Sequence, residues 1–489
     1  MSAIFGNPMT FLQENGPSVQ LKVFGDEFYA RYETGSGYTC VYDAGLGLYC
    51  YATLIDGEFV STGVSIAQPP PAGVRRHLKE APDVRNRKFD ARFNRMQPPP
   101  PPGTAVPTQE TFGPNKGLLA GRQVNKGKVR GLTILVNFQD LQSTVTAAEV
   151  SAMLNGESYT ANGNTCSVRE YYRLMSSGAL DYTNVVVGPL TLSQGWRYYV
   201  DNLLVEEALS LAAAAGVDMS QFDSRKQRYI DAISIMYAGD TVWEGELWPH
   251  NSTVNWQNNG YRANLYQVTG LGLDASGLTI GTFCHESGHM LCRFPDLYDY
   301  GKRDGDFERS AGMGQYCLMS AGNHLDGGRT PSPVCVYLRY LAGWCPNRVL
   351  LFTRGAYEAK HGDYGTALIF ETQRLNEYYL VENRSRIGLD AFLPSSGLAV
   401  YHCDIKGSNE WQGGSAQSHY QCGLLQADGH FDLEHNLNQG DPNDLFAQVQ
   451  GEVLSDVTTP STRMWDGSDS GFYAADISAP GEKMTFRVI

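Results

Sequence analysis

No stretch of this 489-residue chain is apolar for long enough to span a bilayer. Basic residues are in the minority: 38 Lys and Arg stand against 52 Asp and Glu, a formal charge of -14. A surface of that sign repels phosphate backbones, which excludes nucleic acid as a partner class. The opening residues Met1-Ser2-Ala3-Ile4-Phe5-Gly6-Asn7-Pro8 hold no basic region followed by an apolar core, so no signal peptide is visible. The ten cysteines are scattered and form no tight framework. Cys40 and Cys50 could pair across a hairpin turning at Asp43-Ala44-Gly45, while Cys284 and Cys292 read as buried thiols. Internal repeats are missing, and low complexity is confined to proline runs. What remains is long enough for several domains, each with its own core.

The pattern along the chain predicts a multidomain α+β protein. Residues 1–68 alternate apolar and polar positions between Gly-rich turns, as in Gln20-Leu21-Lys22-Val23-Phe24-Gly25-Asp26, which predicts a small β-rich domain. Residues 69–125 read as a Pro-rich basic linker, opened by Pro69-Pro70-Pro71 and containing the run from Pro98 to Pro102. Between the prolines lie Arg75, Arg76, Lys79, Arg85, Arg87, Lys88, Arg92 and Arg95. With few apolar residues to bury, this stretch is expected to be exposed and open to proteases between Val74 and Arg95. Residues 126–350 mix buried strands, Leu132-Thr133-Ile134-Leu135-Val136-Asn137-Phe138 and Ala232-Ile233-Ser234-Ile235-Met236-Tyr237, with helices over 146–154, 168–175, 202–215 and 333–341. Over 351–489 helical periodicity nearly vanishes, and runs such as Glu377-Tyr378-Tyr379-Leu380-Val381-Glu382 predict a β-sandwich.

The chemistry concentrates in His285-Glu286-Ser287-Gly288-His289. Histidines at i and i+4 share one helix face, at the separation where two imidazoles can bind one zinc ion. Glu286 then lies beside the metal's open position, where it can take a proton from water. Pro295 stops the helix and Asp296 follows, a candidate third ligand, with Asp299 and Glu308 as alternatives. Tyr298, Tyr316 and His324 are candidates to stabilise an oxyanion. A peptide substrate is expected to pair with an edge strand near Ile233 to Tyr237. His250 and His402 read as structural histidines.

Several runs then carry a resemblance. Phe24-Gly25-Asp26-Glu27-Phe28, Ser167-Val168-Arg169-Glu170-Tyr171-Tyr172, Val187-Gly188-Pro189-Leu190-Thr191-Leu192, Pro295-Asp296-Leu297-Tyr298-Asp299, Leu318-Met319-Ser320 and Asp441-Pro442-Asn443-Asp444-Leu445-Phe446 resemble the immune inhibitor A family of secreted, metzincin-like zinc metallopeptidases. The resemblance implies an extracellular endopeptidase acting on proteins or peptides. It also implies a proenzyme with 1–68 as propeptide, 126–350 as catalytic domain, and often bound calcium. By position it makes His285, His289 and Asp296 zinc ligands and Glu286 the general base. In the family's pattern a glycine stands three residues after the second histidine and the aspartate six after it. Here Cys292 occupies the glycine position and Asp296 comes one residue later. Asp223-Ser224-Arg225-Lys226-Gln227-Arg228-Tyr229 stands where many relatives carry a calcium-loop-like stretch, and its basic residues oppose a cation there. The displaced aspartate leaves a second class open, an inactive peptidase-fold protein that binds or builds. A non-peptidase zinc hydrolase is a third.

Overall fold

A computed structural model of the chain describes residues 3–96, 117–200, 202–239, 247–301 and 309–489. The proline run from Pro98 to Pro102 and the alternative ligand Glu308 lie outside the described residues. The architecture is mixed α+β with four sheets, as its patterning predicts. No helix among the described residues is long and apolar enough to cross a membrane.

The first sheet is an antiparallel meander of six strands, from Ile4–Phe11 to Glu58–Ser65. It packs its own small core of Leu21, Val23, Tyr32, Tyr42 and Tyr49 against Trp248. The expected exposed linker is different in part. Residues Pro82–Met96 form a helix that buries Val84, Phe89, Arg92 and Met96. Phe89 and Phe93 stack at 5.6 Å, spaced four apart on one face, and that aromatic stripe is what ties the basic segment down. Exposure is retained at Arg75, Arg76 and Lys79.

The second sheet has the order His250–Asn258, Tyr261–Gly272, Ile233–Ala238, Gly127–Asn137, Leu180–Thr191. All neighbours are parallel except the hairpin at the His250–Asn258 edge. In Gly127–Asn137, Leu132, Ile134 and Val136 face one core, with the helix Leu203–Ala214. Val129 and Leu135 face the other core, which holds the helix of the histidine motif. This is the two-residue period of a strand buried on both sides. Helices Ala147–Asn155 and Val168–Met175 start where their capping boxes dictate, at Thr146 with Glu149 and at Ser167 with Glu170. The expected edge strand is corrected here: Ile233–Ala238 lies between two parallel partners, and the edges are His250–Asn258 and Leu180–Thr191. A fully apolar strand reads the same at a centre as at an edge, because only pairing distinguishes them.

The C-terminal part is a two-sheet sandwich. One sheet runs Asn347–Leu350, Thr366–Glu371, Glu377–Arg384, Gly397–Asp404, Cys422–Leu424. The other runs Gly355–Lys360, Lys483–Val488, Ala474–Ile477, Val449–Leu454. Tyr379, Val381, Leu398 and Val400 meet Leu454, Met484 and Phe486 between them. The first sheet's other face, with Ile369, Leu380, Tyr401 and Leu424, belongs to the same core as Cys284, Leu291 and Met319. All eight residues of Gly397–Asp404 are buried for that reason. All ten cysteines are buried thiols without a disulfide, Cys40 and Cys50 included.

Candidate metal centre

The motif helix begins at Gly281, where a Cβ would lie 2.0 Å from Asn323 O, so no larger residue fits. Ser287 Oγ donates to Gln267 Oε1 at 3.1 Å, tying the helix to the second sheet. The α-helical turns end at Ser287, and Gly288–Cys292 continues as a π-helical turn. Such a turn absorbs one inserted residue without breaking the helix. The chain then reverses at Arg293, which is left-handed (φ 59°). The left-handed corner falls at Arg293, and Asp296 follows three residues later. The helix therefore ends at Cys292, before Pro295.

His285, His289 and Asp296 are brought together, all buried. His285 Nε2 lies 3.1 Å and His289 Nε2 3.4 Å from Asp296 Oδ1, and the two Nε2 atoms are 3.2 Å apart. Their Nδ1 atoms face backbone carbonyls, Leu318 O at 2.8 Å and Phe294 O at 2.6 Å. A carbonyl only accepts, so each Nδ1 carries the proton and each Nε2 turns a lone pair inward. Burial lowers the pKa of both histidines, which keeps them neutral and able to ligate. Burial alone would raise Asp296, but its surroundings hold it well below the usual carboxylate range, so it stays ionised. Two neutral imidazoles and an ionised carboxylate converging on one point could hold a metal ion.

Supporting groups surround the three. Tyr300 OH donates to Asp296 Oδ2 at 2.6 Å, and Asp296 N donates to Glu410 Oε1 at 3.0 Å. Neither was singled out from sequence. Tyr300 sits one helical turn's spacing after Asp296, a usable signal, whereas Glu410 is 114 residues away and gives none. Met319 forms the floor, so close that a Cβ on Gly288 would lie 2.7 Å from its Sδ. Glu286 is buried on the motif helix, and burial raises its pKa.

Of the other candidates, Tyr298 is buried near Asp296, whose charge adds to burial in raising its pKa. His324 bonds through Nε2 to Ala3 O at 2.9 Å. Tyr316 turns away and donates to Asp444 Oδ2 at 2.8 Å, outside the centre. Asp299 accepts from Gly301 N at 2.7 Å and is not part of the cluster. His250 bonds to Trp248 O at 2.6 Å, and His402 pairs with Glu377 at 2.8 Å between stacked rings, both structural arrangements. Asp223 spends its carboxylate on the backbone N–H groups of Gln227 and Arg228.

The N-terminal sheet reaches this centre. Phe5 meets Tyr298 edge-on at 6.1 Å, and Phe28 meets Tyr300 at 5.3 Å. Arg309 pairs with the buried Asp26 at 2.9 Å. At the edge strand, Ser252 Oγ donates to Met96 O.

No family model matches the chain, and no curated protein matches its sequence. A solved structure described as metalloproteinase-II from Bacteroides fragilis overlaps 59% of this chain and 81% of its own, at 10% identity and a TM-score of 0.20. An overlap that slight carries no argument about fold or activity.

Proposed function

We propose that the chain is a zinc-dependent endopeptidase held as a proenzyme by its N-terminal sheet. The observation that carries this is the spacing of the three inward-facing atoms. Zinc bonds of about 2.0–2.1 Å in tetrahedral geometry set ligand atoms about 3.3 Å apart. The separations here are 3.1, 3.2 and 3.4 Å. Carbonyl partners on both Nδ1 atoms are the outer support that ligating histidines use.

A zinc ion bound there supplies a Lewis acid that activates water near neutral pH and polarises a scissile carbonyl. Glu286 takes the proton from the attacking water and returns it to the leaving amine; its raised pKa suits a group that must hold a proton in mid-reaction. The strand His250–Asn258 offers the open edge on which an extended peptide adds as a further strand. Latency follows from the contacts of Phe5, Phe28, Asp26 and Met96, which cover the centre and its edge strand. The exposed Arg75, Arg76 and Lys79 are where an activating protease would cut.

The displaced aspartate was the feature favouring an inactive relative, and the π-helical turn accounts for it. The test is zinc content together with casein and gelatin hydrolysis before and after trimming, with and without chelator. Zinc-loaded, trimmed protein that cleaves nothing would reject the peptidase. An extracellular setting belongs to the same proposal, and protein confined to the cell would reject it.

A further inference from the structure

Four buried cysteines gather beside the segment that carries Leu318. Cys317 directly precedes Leu318, Cys335 precedes the helix Val336–Leu341, and Cys403 and Cys422 stand on the first sheet of the sandwich. All four lie in the core that this sheet shares with the motif helix. Hydrogen-bond contacts link their sulfurs in a row: Cys317 with Cys335, Cys335 with Cys422, and Cys422 with Cys403. Cys335 N also donates to Cys317 Sγ at 3.5 Å. A row is not a metal site. Among the described residues no three cysteines converge on one point, as the ligands of one ion must.

The pairing on the sheet is set by its register. Cys403 and Cys422 are directly opposite on antiparallel strands. Leu425 N donates to Val400 O at 2.9 Å and Asp404 N to Gln421 O at 3.0 Å, which marks those two as hydrogen-bonded pairs. Bonded and non-bonded pairs alternate along an antiparallel ladder, so Cys403 and Cys422 form a non-bonded pair. The backbone of Cys422 turns away accordingly. Its N–H and C=O both bond to the side chain of Asn409, at 3.0 and 2.9 Å. Non-bonded partners have Cα atoms about 4.5 Å apart and close side chains, within the range of about 4.4–6.8 Å that a disulfide spans.

We propose that the protein forms two disulfides, Cys317–Cys335 and Cys403–Cys422. In a row of four touching sulfurs, this pairing alone uses all four. The inference rests on the extracellular setting of the proposed function, which supplies the oxidant, and on no other part of it. Each bond forms by exchange with a small disulfide such as oxidised glutathione. One cysteine thiolate attacks it and expels a glutathione thiolate. The partner cysteine's thiolate attacks the mixed disulfide and expels the second. Two cysteine sulfurs are oxidised, one glutathione disulfide is reduced, and the two protons end on the glutathione thiols. Complete burial places this exchange during folding, before the core closes. The first bond clips the segment whose Leu318 carbonyl orients His285 to the helix Val336–Leu341. The second closes the loop 404–421 in the sheet behind it. Neither bond depends on which ion His285 and His289 hold.

The test folds the full chain with and without oxidised glutathione, alkylates the free thiols, and maps unreduced digests by mass spectrometry. Cross-linked peptides joining Cys317 to Cys335 and Cys403 to Cys422 are expected. The oxidised protein should melt on the order of 10 °C above the reduced one. Cys403→Ala should lose one cross-link and about half of that gain while keeping Cys317–Cys335. The wild-type map decides the pairing even where a variant fails to fold. Because the oxidant is added, a wrong compartment is told apart from a wrong pairing. Zinc is measured in the same samples, so failure of the metal centre is also seen separately. Full alkylation of all four cysteines after oxidative folding overturns the proposal. So does a Cys335–Cys422 bond, which would strand the outer two sulfurs.

Discussion

The sheet that starts at Asn347 and the sheet that starts at Ile4 both reach the candidate metal centre, by different means. The C-terminal sheet shares its core with the motif helix: Ile369, Leu380, Tyr401 and Leu424 are buried in one cluster with Cys284, Leu291 and Met319. At about 2 kcal/mol for each large apolar side chain buried, those four supply about 8 kcal/mol, comparable to the net stability of a whole domain. The N-terminal sheet keeps its own core and reaches the centre through an aromatic seam, the buried ion pair of Asp26 with Arg309, and hydrogen bonds such as that between His324 and Ala3 O. One sheet is part of the centre's fold and the other is docked on it. A docked element can leave without unfolding what it covers, which is what a removable inhibitor requires.

Truncation is the harshest way to break this comparison. Deleting 347–489 should abolish soluble, cooperatively melting protein, whereas cutting after Lys79 should leave the remainder folded. A stable, cooperative fragment lacking the C-terminal sheet would refute the distinction. Next in size is Glu286→Ala in trimmed protein. Hydrolysis should fall by about two to four orders of magnitude while zinc content holds; a drop within the assay error would remove Glu286 from the chemistry.

Arg309→Met probes the docking contact itself. It leaves Asp26 buried without its cation, a change worth about 3 kcal/mol for a well-buried pair. Untrimmed protein should then gain activity by about tenfold or more, as the docked state loses population. Unchanged latency would show that the seam of Phe28, Phe89 and Tyr300 suffices without the pair. The smallest effect concerns the acidic loop between the strands Cys422–Leu424 and Val449–Leu454. Burial pushes Glu434 up to about 7 and Asp444 up to about 6. Their protonated forms therefore favour the fold at low pH, and that advantage is lost as pH rises through 6 and 7. The protein should lose a few degrees of melting temperature across that window, and Glu434→Gln should flatten the loss. A slope that Glu434→Gln leaves unaltered would place the titration elsewhere.

Much of this was legible beforehand where the signal is local. The helices Ala147–Asn155, Val168–Met175 and Leu203–Ala214 fall within a residue or so of expectation, because apolar period and capping residues lie inside each segment. The sandwich was visible from alternation and turns. The helix Pro82–Met96 was hidden, because its few apolar residues matter against Phe28, Tyr300 and Trp411, all distant along the chain. The centrality of Ile233–Ala238 was hidden for the same kind of reason, since pairing partners are not written in a strand.

By itself the sequence determined the candidate donors, His285, His289 and Asp296, and the candidate general base Glu286. Their identities and their spacing along the chain are covalent facts that no packing can alter. Tertiary structure decided whether those donors could meet. Asp296 comes back to the two histidines because Gly288–Cys292 forms a π-helical turn and Arg293 a left-handed corner. It also decided the partners that orient the donors, the carbonyls of Leu318 and Phe294 and the hydroxyl of Tyr300. Burial and direction are properties of the assembled core, and they are what turn three side chains into one site.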